Sequence, residues 1–332
     1  MKLAIIGGGS WGTALAIVLG PRFESVRLWV YEADLAARMA SSRENDVFLP
    51  GFRLPQNVQV LTGDLAPALA DAEIVLGVMP SHHARRIYSN MLPHLSPSMI
   101  LVSATKGLEQ GSLLRMSQVI EQVVGTKFAP RATVLSGPTF AREVAAGNPT
   151  AVVVASSDLE AARCVQQAFS GHTFRLYTNA DPVGVEVGAA LKNVIAIGAG
   201  ICEGFGLGHN PTAALITRGL AEITRLAVAM GGQAKTLSGL AGLGDLVLTC
   251  SGDLSRNRQV GKELGLGKPL AEILGSMRMV AEGVETCASA VALGEKFVVD
   301  LPIIQQMHAV MSGRKSPREA VRELMDRTLK GE

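Results

Sequence analysis

The chain opens MKLAIIGGGSWG, so a short apolar run at 3–6 meets a glycine turn, and the turn meets a helical pattern at 11–19. Gly7, Gly9 and Gly12 hold the G-x-G-x-x-G spacing across that turn. The spacing alone is a weak sign, but strand, turn and helix in direct succession leave few folds open. In that setting Gly7 permits the tight turn. Gly9 lets the backbone approach a pyrophosphate, and Gly12 lets helix and strand pack closely. The helix N-terminus adds N–H groups and a partial positive charge for the anion. The alternative is a glycine-rich turn without a ligand. The turn also cuts the apolar run too early for a signal peptide.

Short β-branched runs continue at 26–30, 58–61, 74–78, 100–103, 133–135, 151–155 and 174–177, with a helical stretch at 35–41. Alternating strand and helix with nearly continuous apolar strands predicts a mostly parallel sheet covered on both faces. The expected class is α/β: an N-terminal Rossmann-type, doubly wound domain and a C-terminal all-α domain. The pattern changes near Asp181-Pro182, and 183–202, 211–230, 258–264 and 316–328 then read as helices. The expected division is a dinucleotide-binding domain at 1–180 and a helical substrate-binding and catalytic domain at 181–332. A chain of 332 residues suits two domains.

The net charge of +2, with no run of Lys or Arg, argues against a nucleic-acid surface and for a small anion bound locally. Cys164, Cys202, Cys250 and Cys287 form no Cys-x-x-Cys pair, which predicts a reducing compartment and no metal site, and without an export or anchor signal the cytoplasm is the expected location. The longest apolar stretch, 187–202, carries Lys192 and reads as a core helix rather than a membrane span.

Lys192 sits among Ala, Val, Ile and Gly, with only Asn193 polar beside it. Burying an ammonium is expensive unless it is paired or neutralised, and a lysine so placed suits a general base. Its small neighbours would let a substrate or another helix come close. The plainer reading is a snorkelling lysine. Asp245, between glycine turns and an apolar run, needs a cationic partner if buried, and Lys192 is one candidate. Ser255-Arg256-Asn257 sets a hydroxyl, a guanidinium and an amide at a helix start, a combination that suits a phosphate. Their plainer readings are an N-cap and a solvated charge.

Glu32, roughly 20 residues beyond Gly12, can bond an adenosine 2′-hydroxyl and repel a 2′-phosphate, or it can be a solvated helix-start residue. Lys106 and Thr139 lie in segments that follow strands, where doubly wound sheets bind ligands. An exposed Lys and a helix-capping Thr are the alternatives.

At these residues the chain resembles the NAD(P)-dependent glycerol-3-phosphate dehydrogenases over nearly its whole length. The resemblance is carried by GGGSWGTALA (7–16), SATKGLE (103–109) and LSGPTFAREVAAGNPTAV (135–152). LKNVIAIGAGICEGFGLGHN (191–210), GLGDLVLTC (242–250), SRNR (255–258) and AEGVET (281–286) complete it. It implies interconversion of sn-glycerol 3-phosphate and dihydroxyacetone phosphate, which supplies glycerophospholipid synthesis, and it implies a homodimer. Lys192 is implied as the acid/base. Lys106, Gly137, Thr139, Asp245, Ser255, Arg256 and Asn257 are implied as substrate ligands. Ser10, Trp11, Lys106, Ala141, Arg256, Val280 and Glu282 are implied as cofactor contacts. Bacterial members often carry an Arg where this chain has Val30-Tyr31-Glu32, so NAD is expected in preference to NADP. Thr139 stands where the family often has Ser and keeps the hydroxyl.

Two other readings remain. A β-hydroxyacid dehydrogenase also pairs such a domain with a helix-borne lysine, but reads a carboxylate. A non-catalytic NAD-binding redox sensor would bind cofactor without turnover.

Overall fold

A computed structural model describes residues 1–277, 280–329 and 331. The strands are β1 (Lys2–Ile6), β2 (Ser25–Trp29), β3 (Glu44–Asn45), β4 (Leu49–Arg53), β5 (Val58–Leu61), β6 (Ile74–Gly77), β7 (Ile100–Ser103), β8 (Arg131–Ser136), β9 (Thr150–Ala155) and β10 (Phe174–Asn179). Eight of them form one sheet in the order β10-β9-β8-β7-β6-β1-β2-β5, while β3 and β4 make a separate hairpin. Every pairing in the large sheet is parallel except β8 with β9.

The period-2 alternation of β1 shows why this sheet needs cover on both faces. Leu3 and Ile5 join a core with Leu15, Val165 and Phe169, whereas Ala4 and Ile6 join another with Ile87, Met91 and Ile120. The helices Ser10–Leu19 and Leu159–Phe169 supply the first layer, and Ala84–Met91 and Met116–Val124 the second. The strands β6 and β7 are buried at every position, as their unbroken apolar sequences require. The chain order reverses at β1, whose neighbours are β2 and β6. Such a switch point opens a crevice at the carboxyl ends of the strands.

The chain divides into two compact units: Met1–Glu109 with Leu114–Glu186, and Gln110–Leu113 with Val187–Glu332. Among the described residues, the second unit contains no strand. The division falls within the Pro182–Gly204 helix. That helix is long and apolar enough to cross a membrane by composition, yet residues 184–202 of it are all buried inside the protein.

Within the second unit it crosses the Arg256–Gly265 helix with almost no side chain between the backbones. A Cβ on Gly200 would lie 1.9 Å from the Arg258 carbonyl oxygen, and one on Gly261 1.9 Å from that of Ile197. Gly204 and Gly265 meet one turn further on, where the Gly204 Cβ would stand 2.4 Å from the Lys262 carbonyl oxygen. The small residues seen in the sequence around Lys192 therefore admit a neighbouring helix.

Candidate active site

In the first unit, the glycine turn is as crowded as its spacing demands. A Cβ on Gly7 would lie 2.0 Å from the Val78 carbonyl oxygen, and one on Gly12 1.9 Å from that of Gly7. At Gly9 nothing among the described residues lies within 4 Å of that position. Gly9 caps the Ser10–Leu19 helix without a side-chain bond, and the first turn has no acidic residue, so its N–H groups are left for an anion. Ser10 opens the helix, and the indole N–H of half-buried Trp11 has no partner among the described residues. An open backbone position and an uncapped helix end together fit a dinucleotide's pyrophosphate.

The loop is clamped by Asn45, a residue that sequence reasoning missed. Its buried Nδ2 donates to the Gly8 carbonyl and to Thr13 Oγ1, both at 2.8 Å, and its Oδ1 accepts from Phe48 N at 2.9 Å. Nothing in its turn-rich sequence neighbourhood marks it.

Glu32 is exposed, at the start of the Ala33–Ser42 helix, and caps no N–H there. The next basic residue, Arg38, is held by Asp34 and Asp46 at 3.0 Å each. Lys106 follows β7, and its Nζ donates to the Gly137 carbonyl at 3.0 Å and to Thr139 Oγ1 at 2.9 Å. The Thr139 hydroxyl in turn donates to the Gly137 carbonyl at 3.1 Å. A side chain at Gly137, where φ is +148°, would meet the Val152 Cα at 2.9 Å. Thr139 does not cap the Ala141–Ala145 helix, whose cap position is Phe140. Ala141 packs against the core at that helix's first position.

In the second unit, the lysine and the aspartate meet. Lys192 Nζ donates to Asp245 Oδ1 at 2.6 Å and to Thr249 Oγ1 at 2.8 Å, with Lys192 4% and Asp245 1% exposed. The Thr249 hydroxyl spends its own proton on the Asp245 carbonyl at 2.6 Å, which turns a lone pair toward the lysine. A buried ion pair is costly to desolvate, and two short acceptors offset that cost. Thr249 was also missed in the sequence. Its only signal is that it stands one helical turn after Asp245 on the Asp245–Ser251 helix.

Ser255 is the N-cap of the Arg256–Gly265 helix and accepts from Arg258 N at 3.2 Å. Arg256 Nη1 donates to the Val280 carbonyl at 2.9 Å. Glu282 begins the Glu282–Lys296 helix. Asn257 is largely committed to structure: its Nδ2 donates to Asn193 Oδ1 at 3.0 Å and its Oδ1 accepts from Gly283 N at 2.9 Å. These bonds tie together the helices that carry Lys192, Arg256 and Glu282. Burial pushes the Cys250 and Cys287 thiols up to about 12, so neither is a thiolate nucleophile at neutral pH.

Two family descriptions match the chain. Residues 2–162 match the N-terminus of NAD-dependent glycerol-3-phosphate dehydrogenase, and residues 181–322 match its C-terminus. The glycerol-3-phosphate dehydrogenase [NAD(P)+] of Koribacter versatilis is 60% identical over 98% of this chain and 97% of its own length. That of Citrifermentans bemidjiense is 53% identical over 100% and 98%. The crystal structure of glycerol-3-phosphate dehydrogenase from Coxiella burnetii superposes with a TM-score of 0.93 at 38% identity, covering 98% of this chain and 99% of that one. With both halves matched and full-length relatives above half identity, the chain belongs to the NAD-dependent glycerol-3-phosphate dehydrogenase family.

Proposed function

We propose that the chain is an oxidoreductase interconverting sn-glycerol 3-phosphate and dihydroxyacetone phosphate, with Lys192 as its general acid and base. The observation that carries this reading is the buried Lys192–Asp245 pair on a full-length family match. When bound, NAD supplies the hydride acceptor at its nicotinamide ring, and NADH the donor. In reduction, protonated Lys192 polarises the substrate ketone and gives it a proton. In oxidation, neutral Lys192 takes the proton of the C2 hydroxyl. Asp245 and Thr249 aim the amine, and Asp245 balances its charge.

Arg256 is the phosphate ligand, helped by the Ser255 hydroxyl and by the Nδ2 proton of Asn257 not given to Asn193. Remote binding of this kind positions the reacting carbon. Lys106, Gly137 and Thr139 form the substrate contacts contributed by the first unit. Gly7, Gly9, Ser10, Trp11, Gly12, Glu32 and Ala141 hold the cofactor there, with Lys106 serving both ligands. Arg256, Val280 and Glu282 contribute from the second unit. The reading extends to a cytoplasmic homodimer that supplies glycerol 3-phosphate to glycerophospholipid synthesis.

The test follows reduced-cofactor absorbance with dihydroxyacetone phosphate, run in parallel with NADH and NADPH. Loss of signal with NADH, faster than with NADPH, is the expected result. No loss with either would reject the assignment.

A further inference from the structure

Tyr31 lies just past the end of β2 and keeps 62% of its surface exposed. Its ring is nevertheless held. Trp29 meets it edge-on with centroids 6.1 Å apart, and Trp29 is itself fixed by a 3.1 Å bond from Nε1 to the Gly63 carbonyl. The guanidinium of Arg86 stands 5.7 Å from the Tyr31 ring centroid. Arg86 belongs to the Ala84–Met91 helix, which follows β6. Because β6 and β2 are the two neighbours of β1, the Arg86–Tyr31 contact reaches across the carboxyl end of β1, where the glycine turn begins. Adenosine binds at this end of a dinucleotide site, beside the residue after the second strand.

Arg86 differs from the other arginines nearby. Arg38 is bound by Asp34 and Asp46, and Arg85 by Glu109 at 2.8 Å. Arg86 is exposed and, among the described residues, has no carboxylate partner. A guanidinium over an aromatic ring keeps its N–H edge available for an oxyanion, and its fork matches two phosphate oxygens.

We propose that Arg86 is the residue that admits a 2′-phosphate on the adenosine, so that cofactor choice is set by Arg86 working against Glu32. Glu32 repels the phosphate and bonds the 2′-hydroxyl. Arg86 attracts the phosphate from the opposite neighbour of β1. The chain thereby accepts NADP without an arginine immediately after β2. The inference rests on the dinucleotide reading of the glycine turn.

The test is calorimetric titration with adenosine 5′-monophosphate and adenosine 2′,5′-bisphosphate, which needs no turnover. In Arg86→Ala, the affinity ratio of bisphosphate to monophosphate should fall about tenfold or more, the worth of a charge-assisted hydrogen bond. Arg86→Lys should recover part of that ratio, and Glu32→Gln should raise it. Steady-state kinetics should show the same ordering in the KM ratio of NADPH to NADH. An unchanged ratio in Arg86→Ala, or equal weakening of both nucleotides, would overturn the proposal while leaving the dinucleotide site standing. Binding of neither nucleotide to the unaltered protein would overturn the dinucleotide reading and this proposal with it.

Discussion

Replacing Gly261 by alanine tests how closely the site depends on the crossing of two helices. The new Cβ would stand 1.9 Å from the Ile197 carbonyl oxygen, whereas ordinary contact begins at 3.4 Å, so the backbones must part by about 1.5 Å. The next obstacles, the Ile197 carbonyl carbon at 2.7 Å and the Gly200 Cα at 3.0 Å, are also main chain, and no rotamer can relieve them. Overpacking of this kind costs about 3 kcal/mol, at the upper end of its usual range. Alanine returns about 1 kcal/mol of helix propensity, leaving a net loss of about 2 kcal/mol. For a unit of this size that lowers Tm by roughly 4–8 °C. Gly275→Ala is the matched control, since it lies in the Leu270–Ser276 helix with nothing among the described residues within 4 Å of its Cβ position. It should raise stability by about 1 kcal/mol. Thermal unfolding followed by circular dichroism reads both variants. Because the displaced helix begins at Arg256, Gly261→Ala should also raise the KM for dihydroxyacetone phosphate. A Gly261→Ala protein that melts at or above the parent would refute the packing argument, as would a Gly275→Ala control that is equally damaged.

Three further outcomes follow from the geometry. Lys192→Ala should lower kcat by roughly 10²–10⁴, the usual worth of a positioned acid/base, while NADH binding measured by fluorescence persists. Unchanged turnover would remove Lys192 from the chemistry. Thr249→Val, which deletes one acceptor of the lysine, should lower kcat about tenfold, and a kcat equal to the parent's would show that Thr249 does not aim the amine. Glu222 is buried at the start of the Pro302–Met311 helix, accepting from Ile303 N and Ile304 N, and burial pushes it up to about 7 from 4.5. A carboxyl raised on folding gives stability that is intact below about pH 4.5 and lost as pH climbs to about 7. The loss is of order 3 kcal/mol. Glu222→Gln should remove that slope from a Tm series across the interval, and an unaltered slope would assign it to other groups.

The parts of this fold that were plain in the sequence are those where one physical demand acts alone. The strands β6 and β7 read clearly because both faces are buried and every residue must be apolar or small. The β3–β4 hairpin was missed because β4 carries Pro50 and Gly51 and is mostly exposed, so no alternation survives. The Glu282–Lys296 helix was missed because its buried face is built from Gly, Thr, Ser, Cys and Ala as much as from leucine. Within the site, Lys192 stood out as a charge in an apolar run, and Asp245 as a charge between glycines. Each advertises an unmet electrostatic need. Thr249, Asn193 and Asn45 carry no charge, and a polar residue shows its importance only through a partner distant in sequence. The glycines of the Pro182–Gly204 helix announced a close neighbour without revealing which helix it was.

That helix has a consequence for how the protein is made. Its sequence is apolar enough for a bilayer, and Gly200 and Gly204 find their cover only when residues near 261 have left the ribosome. Until then the nascent chain presents a long greasy segment to water or to a neighbouring nascent chain. Such exposed segments associate faster than late-arriving partners can shield them. Variants that loosen the Arg256–Gly265 helix should therefore be lost mainly as insoluble protein during expression, and heat should inactivate them irreversibly.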